Sequence, residues 1–406
     1  MLFLSRKSMS IEKFRVDFPC LNSNKPPVYL DNACMTLKPT QVIDAMNEYY
    51  EEYPGCAGRS HHRFGKMATE RFFEARKTIS KHIGAKKPEE VIFTRNTTEG
   101  VNLVANSFGL KKGDVVLTTD KEHNSNLIPW KVLEKSIGIK HVIVQSKKDM
   151  TFDMGVFEGL VKGTKLVSFV HSSNLDGYTI PAKEVIKIAH ENGALVLLDG
   201  AQFAPHHKLD VRNLDVDFYS FSGHKMLGPT GTGILYGKMD LLENLKQFMV
   251  GGDTVKDSTY NSFVPEDIPE RFEAGLQNYA GMIGLAAAVK YLDSVGKENI
   301  PRRENELNII ASKGLSSIDR CSIIGPPDVR DRGGVLSFNI QGMDPHSLAI
   351  ILDGSEIMIR SGMHCVHSWF NAHKINGCAR ASFYFYNTVE EVEMFVEKVV
   401  EASKLR

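Results

Sequence analysis

Between residues 39 and 240, strand-like and helix-like signals alternate along the chain, and few architectures accept that order. Short apolar runs stand at 90–94, 115–118, 141–144, 165–170, 195–198, 216–220 and 233–236. Segments with apolar residues at helical spacing precede or separate most of them, at 39–53, 65–84, 97–108, 125–137, 153–162 and 181–191. Alternating β and α units predict a mostly parallel, seven-stranded sheet covered by helices on both faces. Two further helices are predicted at 278–295 and 299–315. Strand candidates at 321–324, 334–340, 357–360 and 380–385, with a last helix from 388, read as a smaller α+β domain at the C-terminal end. A chain of 406 residues exceeds one comfortable core. The expected division is a large α/β domain at 30–290 and a small domain built from 1–29 and 291–406.

Composition removes several classes of function. Lys plus Arg and Asp plus Glu number 49 each, so no net field draws the chain to nucleic acid or to anionic lipid. No apolar stretch approaches the roughly 20 residues that span a bilayer. The start, Met1-Leu2-Phe3-Leu4-Ser5-Arg6-Lys7, puts its basic pair after the apolar residues, the reverse of a secretory signal. A frayed tail, or translation beginning at Met9, is expected, and the cytoplasm is the default compartment. The six cysteines lack a Cys-x-x-Cys pair, which argues against a metal site or a disulfide framework. Cys20, Cys34, Cys56 and Cys321 are expected to be small buried hydrophobes.

The chemistry sits where strands end. Ala194-Leu195-Val196-Leu197-Leu198 delivers Asp199, and Val216-Asp217-Phe218-Tyr219-Ser220-Phe221 runs into Ser222-Gly223-His224-Lys225. Two strand ends therefore bring an acid, an amine, a hydroxyl and an imidazole to one crevice, where open parallel sheets bind ligands. Pyridoxal phosphate needs this set: an amine for its aldehyde, a carboxylate for its ring nitrogen, and donors for its phosphate. A lone lysine in a Gly-rich turn would be unremarkable, but the strand-end Asp in register speaks for the cofactor.

Thr97-Thr98-Glu99-Gly100 follows the run Val91-Ile92-Phe93-Thr94 and opens a helix, whose N-terminus suits a phosphate. His123, just past Val115-Val116-Leu117-Thr118, is placed to stack on a flat ring. Gly228-Pro229-Thr230-Gly231-Thr232-Gly233 lacks the Gly-Lys-Ser/Thr of a nucleotide loop and reads as a tight turn into a strand. Arg360-Ser361-Gly362-Met363-His364-Cys365 follows one strand, and Arg380 begins another. Either guanidinium could grip a carboxylate bidentately or form a structural ion pair. An ordinary thiol is only roughly 3 per cent thiolate at pH 7, so a nucleophilic Cys365 needs help, and His364 and Arg360 are the candidates. Cys378 is assigned to packing. The pairs His61-His62 and His206-His207 have no carboxylate or Cys at ligand spacing, so no metal is expected.

With these pieces in order, the chain resembles the class V aminotransferase-fold enzymes, closest to the cysteine desulfurases and selenocysteine lyases of the sulfur-mobilising branch. The motifs are Tyr29-Leu30-Asp31-Asn32-Ala33, Thr94-Arg95-Asn96-Thr97-Thr98-Glu99-Gly100, Asp199-Gly200-Ala201-Gln202 and Phe221-Ser222-Gly223-His224-Lys225. They continue with Arg271-Phe272-Glu273-Ala274-Gly275, Arg380-Ala381-Ser382 and Tyr386-Asn387-Thr388. The resemblance implies the pyridoxal-phosphate fold of type I. It implies that Lys225 carries the cofactor's aldehyde, Asp199 meets the ring nitrogen, Gln202 and Asn174 contact the ring oxygen, and His123 stacks on the ring. Thr97, Thr98, Ser222 and His224 would bind phosphate. Arg380 would take the substrate carboxylate with Asn32, and Arg360 would stand beside it. The family is dimeric, which makes Arg59 a contribution to the partner's site.

Three positions depart from the family pattern: Leu276 stands where a Thr is usual, Gly58 where a His is usual, and Met363 where a His is usual. The resemblance implies that L-cysteine becomes L-alanine while its sulfur passes to Cys365 as a persulfide, for an acceptor protein and iron-sulfur cluster assembly. L-selenocysteine is the second substrate of this kind. The rival readings are a selenocysteine lyase or another class V lyase or aminotransferase without a role for Cys365, and a silent scaffold, which would have no need of Lys225 and Asp199.

Overall fold

The computed structural model describes residues 9–405. The expectation placed on Met1 to Lys7 therefore lies outside the described residues. The larger sheet holds seven strands: β1 Val91–Thr94, β2 Val115–Thr119, β3 Lys140–Val144, β4 Thr164–Val170, β5 Leu195–Asp199, β6 Phe218–Ser222 and β7 Gly233–Gly237. Their spatial order is β1-β7-β6-β5-β4-β2-β3. β7 is antiparallel to both of its neighbours, β1 and β6, and the other pairs are parallel. The β6–β7 link is too short for a crossover helix, which is why β7 returns antiparallel.

Both faces of this sheet are apolar, as a covered parallel sheet requires. Val196 and Leu198 belong to one core and Leu197 to the other; likewise Val91 and Phe93 face one side and Ile92 the other. Each fully buried aliphatic or aromatic side chain here stabilises the fold by roughly 1.5–3 kcal/mol. On one face α1 (Thr40–Glu52), α2 (Arg63–Ile83) and α6 (Tyr279–Val295) pack together. Crossover helices α3 (Thr97–Ser107), α4 (Asn124–Ile137) and α5 (Ala182–Glu191) connect successive strands.

A second, antiparallel sheet contains β8 Cys321–Ile324, β9 Val335–Ile340, β10 Arg360–Gly362 and β11 Cys378–Ser382, in the order β8-β9-β11-β10. Helices α7 (Asn299–Leu315), α8 (Pro345–Asp353) and α9 (Val389–Ser403) cover it, around Leu307, Leu336, Phe338, Phe395 and Val399. Val28 and Leu30 join this core, whereas Phe18 and Leu21 pack into the larger one.

Two strand boundaries differ from expectation. The run at 357–360 splits: Ile357–Met358 pairs with Val28–Tyr29, while Arg360 starts β10 against β11. The run at 380–385 begins at Cys378 and leaves the sheet after Ser382, because Tyr384, Phe385 and Tyr386 turn into the larger core. Arg380 is thus in the middle of a strand, not at its start. The hairpin Val255–Ser258 with Phe263–Pro265 was not foreseen; its exposed, mixed residues carry no clear alternation. Among the described residues, no helix is long and apolar enough to cross a membrane.

Candidate active site

The carboxyl ends of β1, β4, β5 and β6, with the loop after β2, open onto one cavity of about 240 Å³, and residues of the smaller sheet close it from above. α3 brings the first group. Asn96 caps this helix, accepting from Glu99 N–H at 3.1 Å. Gly100 lets the helix lie against β6, since a Cβ there would stand 2.2 Å from Ser220 Oγ. That close approach sets Thr97 beside Ser222: Thr97 N–H donates to Ser222 Oγ at 2.9 Å, and the two hydroxyls are 2.7 Å apart. Thr98 Oγ1 is 2.6 Å from Ser125 Oγ. Hydroxyls gathered at a helix N-terminus, with His224 close by on the wall, make an anion cup. Burial pushes the His224 ring down to about 4, with Lys225 and Lys38 adding to the effect.

Asp199 ends β5, is buried, and accepts from Ala201 N–H at 2.9 Å. Burial raises its carboxyl, against the pull of the Ala201 N–H and the Lys225 amine. Lys225 closes the short turn Gly223–Lys225 after β6. Burial pushes its amine down; Asp199 opposes this, Arg380 reinforces it, and the thiols of Cys34 and Cys365 both stand near enough to act on its charge. His123 caps α4, its Nδ1 accepting from Ser125 N–H at 3.1 Å, so the neutral ring carries its proton on Nε2. Burial, then Lys225 and Arg380, hold the ring at about 3, so it stays uncharged at neutral pH.

Four buried side chains on this wall have a polar atom without a protein partner: Asn174 Oδ1, Gln202 Oε1, His364 Nδ1 and Arg380 Nε. Buried polar atoms are nearly always paired, so a cluster of orphans marks the place of a polar ligand. The other ends of two of these amides are engaged: Asn174 Nδ2 donates to His364 O at 2.7 Å, and Gln202 Nε2 donates to Ala33 O at 2.6 Å. An acid, an amine, a neutral ring, an anion cup and these orphans together fit pyridoxal phosphate.

Arg380 Nη1 donates to Asn174 O at 3.0 Å and its Nη2 to Asp31 Oδ1 at 3.3 Å. Cys365 is half-buried on the wall, and it and His364 both hold left-handed backbone, φ 60° and 48°. The loop is pinned at both carbonyls, since Asn124 N–H donates to Cys365 O at 2.8 Å and Asn174 holds His364 O. Neither expected helper hydrogen-bonds the Cys365 thiol, although the Arg360 guanidinium stands near enough for its charge to act on it. His364 Nε2 faces Cys378 Sγ at 3.2 Å, and Arg360 Nη1 donates to Cys34 Sγ at 3.1 Å. Cys378 is packed away, its thiol pushed up to about 12 by burial.

Other expectations need correction. Asn32 does not reach the cavity: its Nδ2 donates to Ser382 O at 2.7 Å, and its Oδ1 accepts from Tyr386 Oη. It buttresses the segment that carries Asp31 and Cys34. Arg59 is largely exposed, away from this chain's own cavity, and paired with Asp253. None of Cys20, Cys34, Cys56 and Cys321 is fully buried, and Cys34 lines the cavity. It stands one residue past the motif Tyr29-Leu30-Asp31-Asn32-Ala33, where no sequence pattern marked it. His62 caps α2, and His206 pairs with Glu304 at 2.6 Å. Leu276 is exposed, Gly58 has open space around it, and Met363 packs near Trp369.

Comparison with known proteins agrees with this geometry. The family described as "Aminotransferase class-V" matches residues 28–395, and the chain belongs to that family. A probable cysteine desulfurase of Synechocystis sp. is 41% identical over 393 residues, covering 95% of this chain and 94% of its own. The apo structure of a cysteine desulfurase from Thermococcus onnurineus NA1 superposes with a TM-score of 0.93 at 39% identity, over 97% of this chain and 98% of that one. The cysteine desulfurase CsdA (S-sulfonic acid) from Escherichia coli superposes with a TM-score of 0.89 at 31% identity, with the same coverage.

Proposed function

We propose that the chain is a pyridoxal-phosphate-dependent cysteine desulfurase that turns L-cysteine into L-alanine and keeps the sulfur as a persulfide on Cys365. The observation that carries this is Cys365 on the wall of the same cavity as Lys225, Asp199 and Arg380. Names of relatives identical at 31–41% over nearly the whole chain support it.

Lys225 and Asp199 would hold the cofactor's aldehyde carbon and ring nitrogen, His123 would lie against the ring face, and Thr97, Thr98, Ser222 and His224 would hold the phosphate. Gln202 and Asn174 would meet the ring oxygen. When bound, the cofactor supplies an electrophilic carbon for the substrate amine and a ring that stores the electron pair left by a departing Cα proton. The residues do the rest. Arg380 grips the substrate carboxylate, with Arg360 adjacent. Lys225 Nζ, its basicity lowered by burial, accepts the Cα proton and returns one to carbon. His123, held neutral, presents a flat uncharged face. The Cys365 thiolate attacks the substrate sulfur; an S–S bond forms as the Cβ–S bond breaks. Its left-handed backbone, which costs about 1 kcal/mol or more, aims this thiol at the cavity.

In this reading the chain divides at 30–290 and at 1–29 with 291–406. The separate core around Leu307 and Phe395, which Val28 joins, supports it, whereas Phe18 and Leu21 in the larger core speak against assigning all of 1–29 to the small domain. It works as a homodimer, with Arg59 offered to the partner's cavity, and hands sulfur to an acceptor protein for iron-sulfur cluster assembly. Its cysteines are free thiols among the described residues, which suits the reducing cytoplasm. A selenocysteine lyase, or another class V enzyme that does not use Cys365, is favoured by one observation: no described side chain hydrogen-bonds the Cys365 thiol, whereas Cys34 has Arg360. Incubating the purified holoenzyme with L-cysteine and Cys365→Ala in parallel decides. Alanine formation that falls about 100-fold or more in the variant supports the desulfurase. Undiminished alanine and sulfide release takes Cys365 out of the reaction.

A further inference from the structure

The cavity holds a second thiol that the desulfurase chemistry does not use. Cys34 lies in the turn after Asp31, where its N–H donates to Asp31 O at 3.1 Å. It is half-buried and on the cavity wall, and its sulfur takes a hydrogen bond of 3.1 Å from Arg360 Nη1. Among the described residues, the Arg360 guanidinium donates to this sulfur and to no other thiol, so a charged donor stands against Cys34 in the cavity wall. Arg360 belongs to β10, five positions before Cys365, and both thiols line the cavity that holds Lys225. The wall they share also carries Arg380, 2% exposed and with Nε unpartnered, an orphan donor that points to an anionic ligand in this space.

We propose that Cys34 is a second catalytic thiol, which takes the sulfane sulfur from Cys365 inside the cavity. The inference rests on the desulfurase reading, in which Cys365 first acquires that sulfur. The step is a thiol exchange. The Cys34 thiolate attacks the terminal sulfur of the Cys365 persulfide. A new S–S bond forms at Cys34, the S–S bond at Cys365 breaks, and Cys365 leaves as thiolate. The electron pair of the broken bond stays on Cys365. No external oxidant, reductant or proton is needed, because one persulfide and one thiolate become one thiolate and one persulfide. Arg360 faces the attacking sulfur of Cys34, and the emptied Cys365 can react again.

The test treats the holoenzyme with L-cysteine in the absence of any acceptor, alkylates it, and maps persulfides by peptide mass spectrometry in wild type, Cys34→Ser and Cys365→Ser. The expected result is persulfide on both peptides in wild type and on neither in Cys365→Ser. With L-cysteine limited to about one equivalent per active site, occupancy at Cys365 in Cys34→Ser is expected to rise about twofold, as for one sulfur shared between two comparable thiols. Persulfide on Cys365 of the wild type with none on Cys34 overturns the relay and leaves the desulfurase reading intact. Persulfide on Cys34 in Cys365→Ser also overturns it, since Cys34 would then attack the substrate directly. Neither thiol labelled, with no alanine formed, defeats the desulfurase reading and the relay with it.

Discussion

Arg360 stands directly opposite Arg380 in the β10–β11 ladder, and Asp31 reaches toward both guanidinium groups, at 3.6 Å and 3.3 Å. Like charges opposed across a strand pair destabilise it, and Asp31 offsets part of that repulsion in the free protein. A substrate carboxylate would enter a site with two cations and one resident anion. Arg380→Ala is expected to raise KM for L-cysteine by roughly 10- to 100-fold, the worth of one charged hydrogen-bond pair. Arg380→Lys should recover little, because an ammonium cannot make the planar two-point contact. Steady-state kinetics check both; an unchanged KM would move carboxylate recognition elsewhere.

The contact between Thr97 and Ser222 defines the phosphate cup. Ser222→Ala removes an acceptor from Thr97 N–H and a hydroxyl from the anion. Cofactor affinity is expected to fall roughly 10-fold or more, at about 1.5–3 kcal/mol per charged hydrogen bond. Titration of the apoenzyme with pyridoxal phosphate, followed by absorbance, measures it.

The Glu273 carboxylate does not line the cavity. It takes two hydrogen bonds from Arg76, at 2.7 Å and 2.8 Å, and one from Phe93 N–H at 2.6 Å, tying the segment before α6 to α2 and β1. Both side chains are buried, so Glu273→Ala strands a charge and is expected to cost about 3–5 kcal/mol of stability. A urea midpoint close to wild type would contradict this.

His171 is buried, stacked on Phe203 at 3.5 Å, and its Nδ1 meets Tyr219 Oη at 2.9 Å. Burial holds the ring at about 3, with His207 adding to the effect. The unfolded chain therefore takes up a proton, below about pH 6.5, that the folded chain refuses. The stability His171 contributes is complete above that pH and is lost as the pH falls toward 3. The advantage of wild type over His171→Gln is expected to shrink by about 2 kcal/mol between pH 7 and pH 5, in paired urea titrations. A gap that stays constant or widens would contradict the assignment.

The large sheet was legible in the sequence because its strands are apolar on both faces, so runs such as Leu195–Asp199 stand out without alternation. Asp199, Lys225, His123 and the Thr97–Thr98 pair were legible for a related reason: each stands at or within a few residues of a strand's carboxyl end, and those ends share one edge. The smaller sheet hid more. Arg380 was read as a strand start because the aromatic run after it resembles strand, yet those rings serve the other core. Asn32 and Cys34 exchanged roles for want of any local pattern. Which of two polar residues in one turn faces a cavity depends on Ser382 and Tyr386, some 350 positions away.

Everything at the site depends on the Lys225 amine holding the cofactor. Adding pyridoxal phosphate to the purified protein, reducing with borohydride and mapping the pyridoxyl group by peptide mass spectrometry tests this directly. The expected result is a near-visible absorbance band before reduction and a single label on Lys225. Label on Lys38, whose amine burial lowers to about 8, or no label at all, would contradict it.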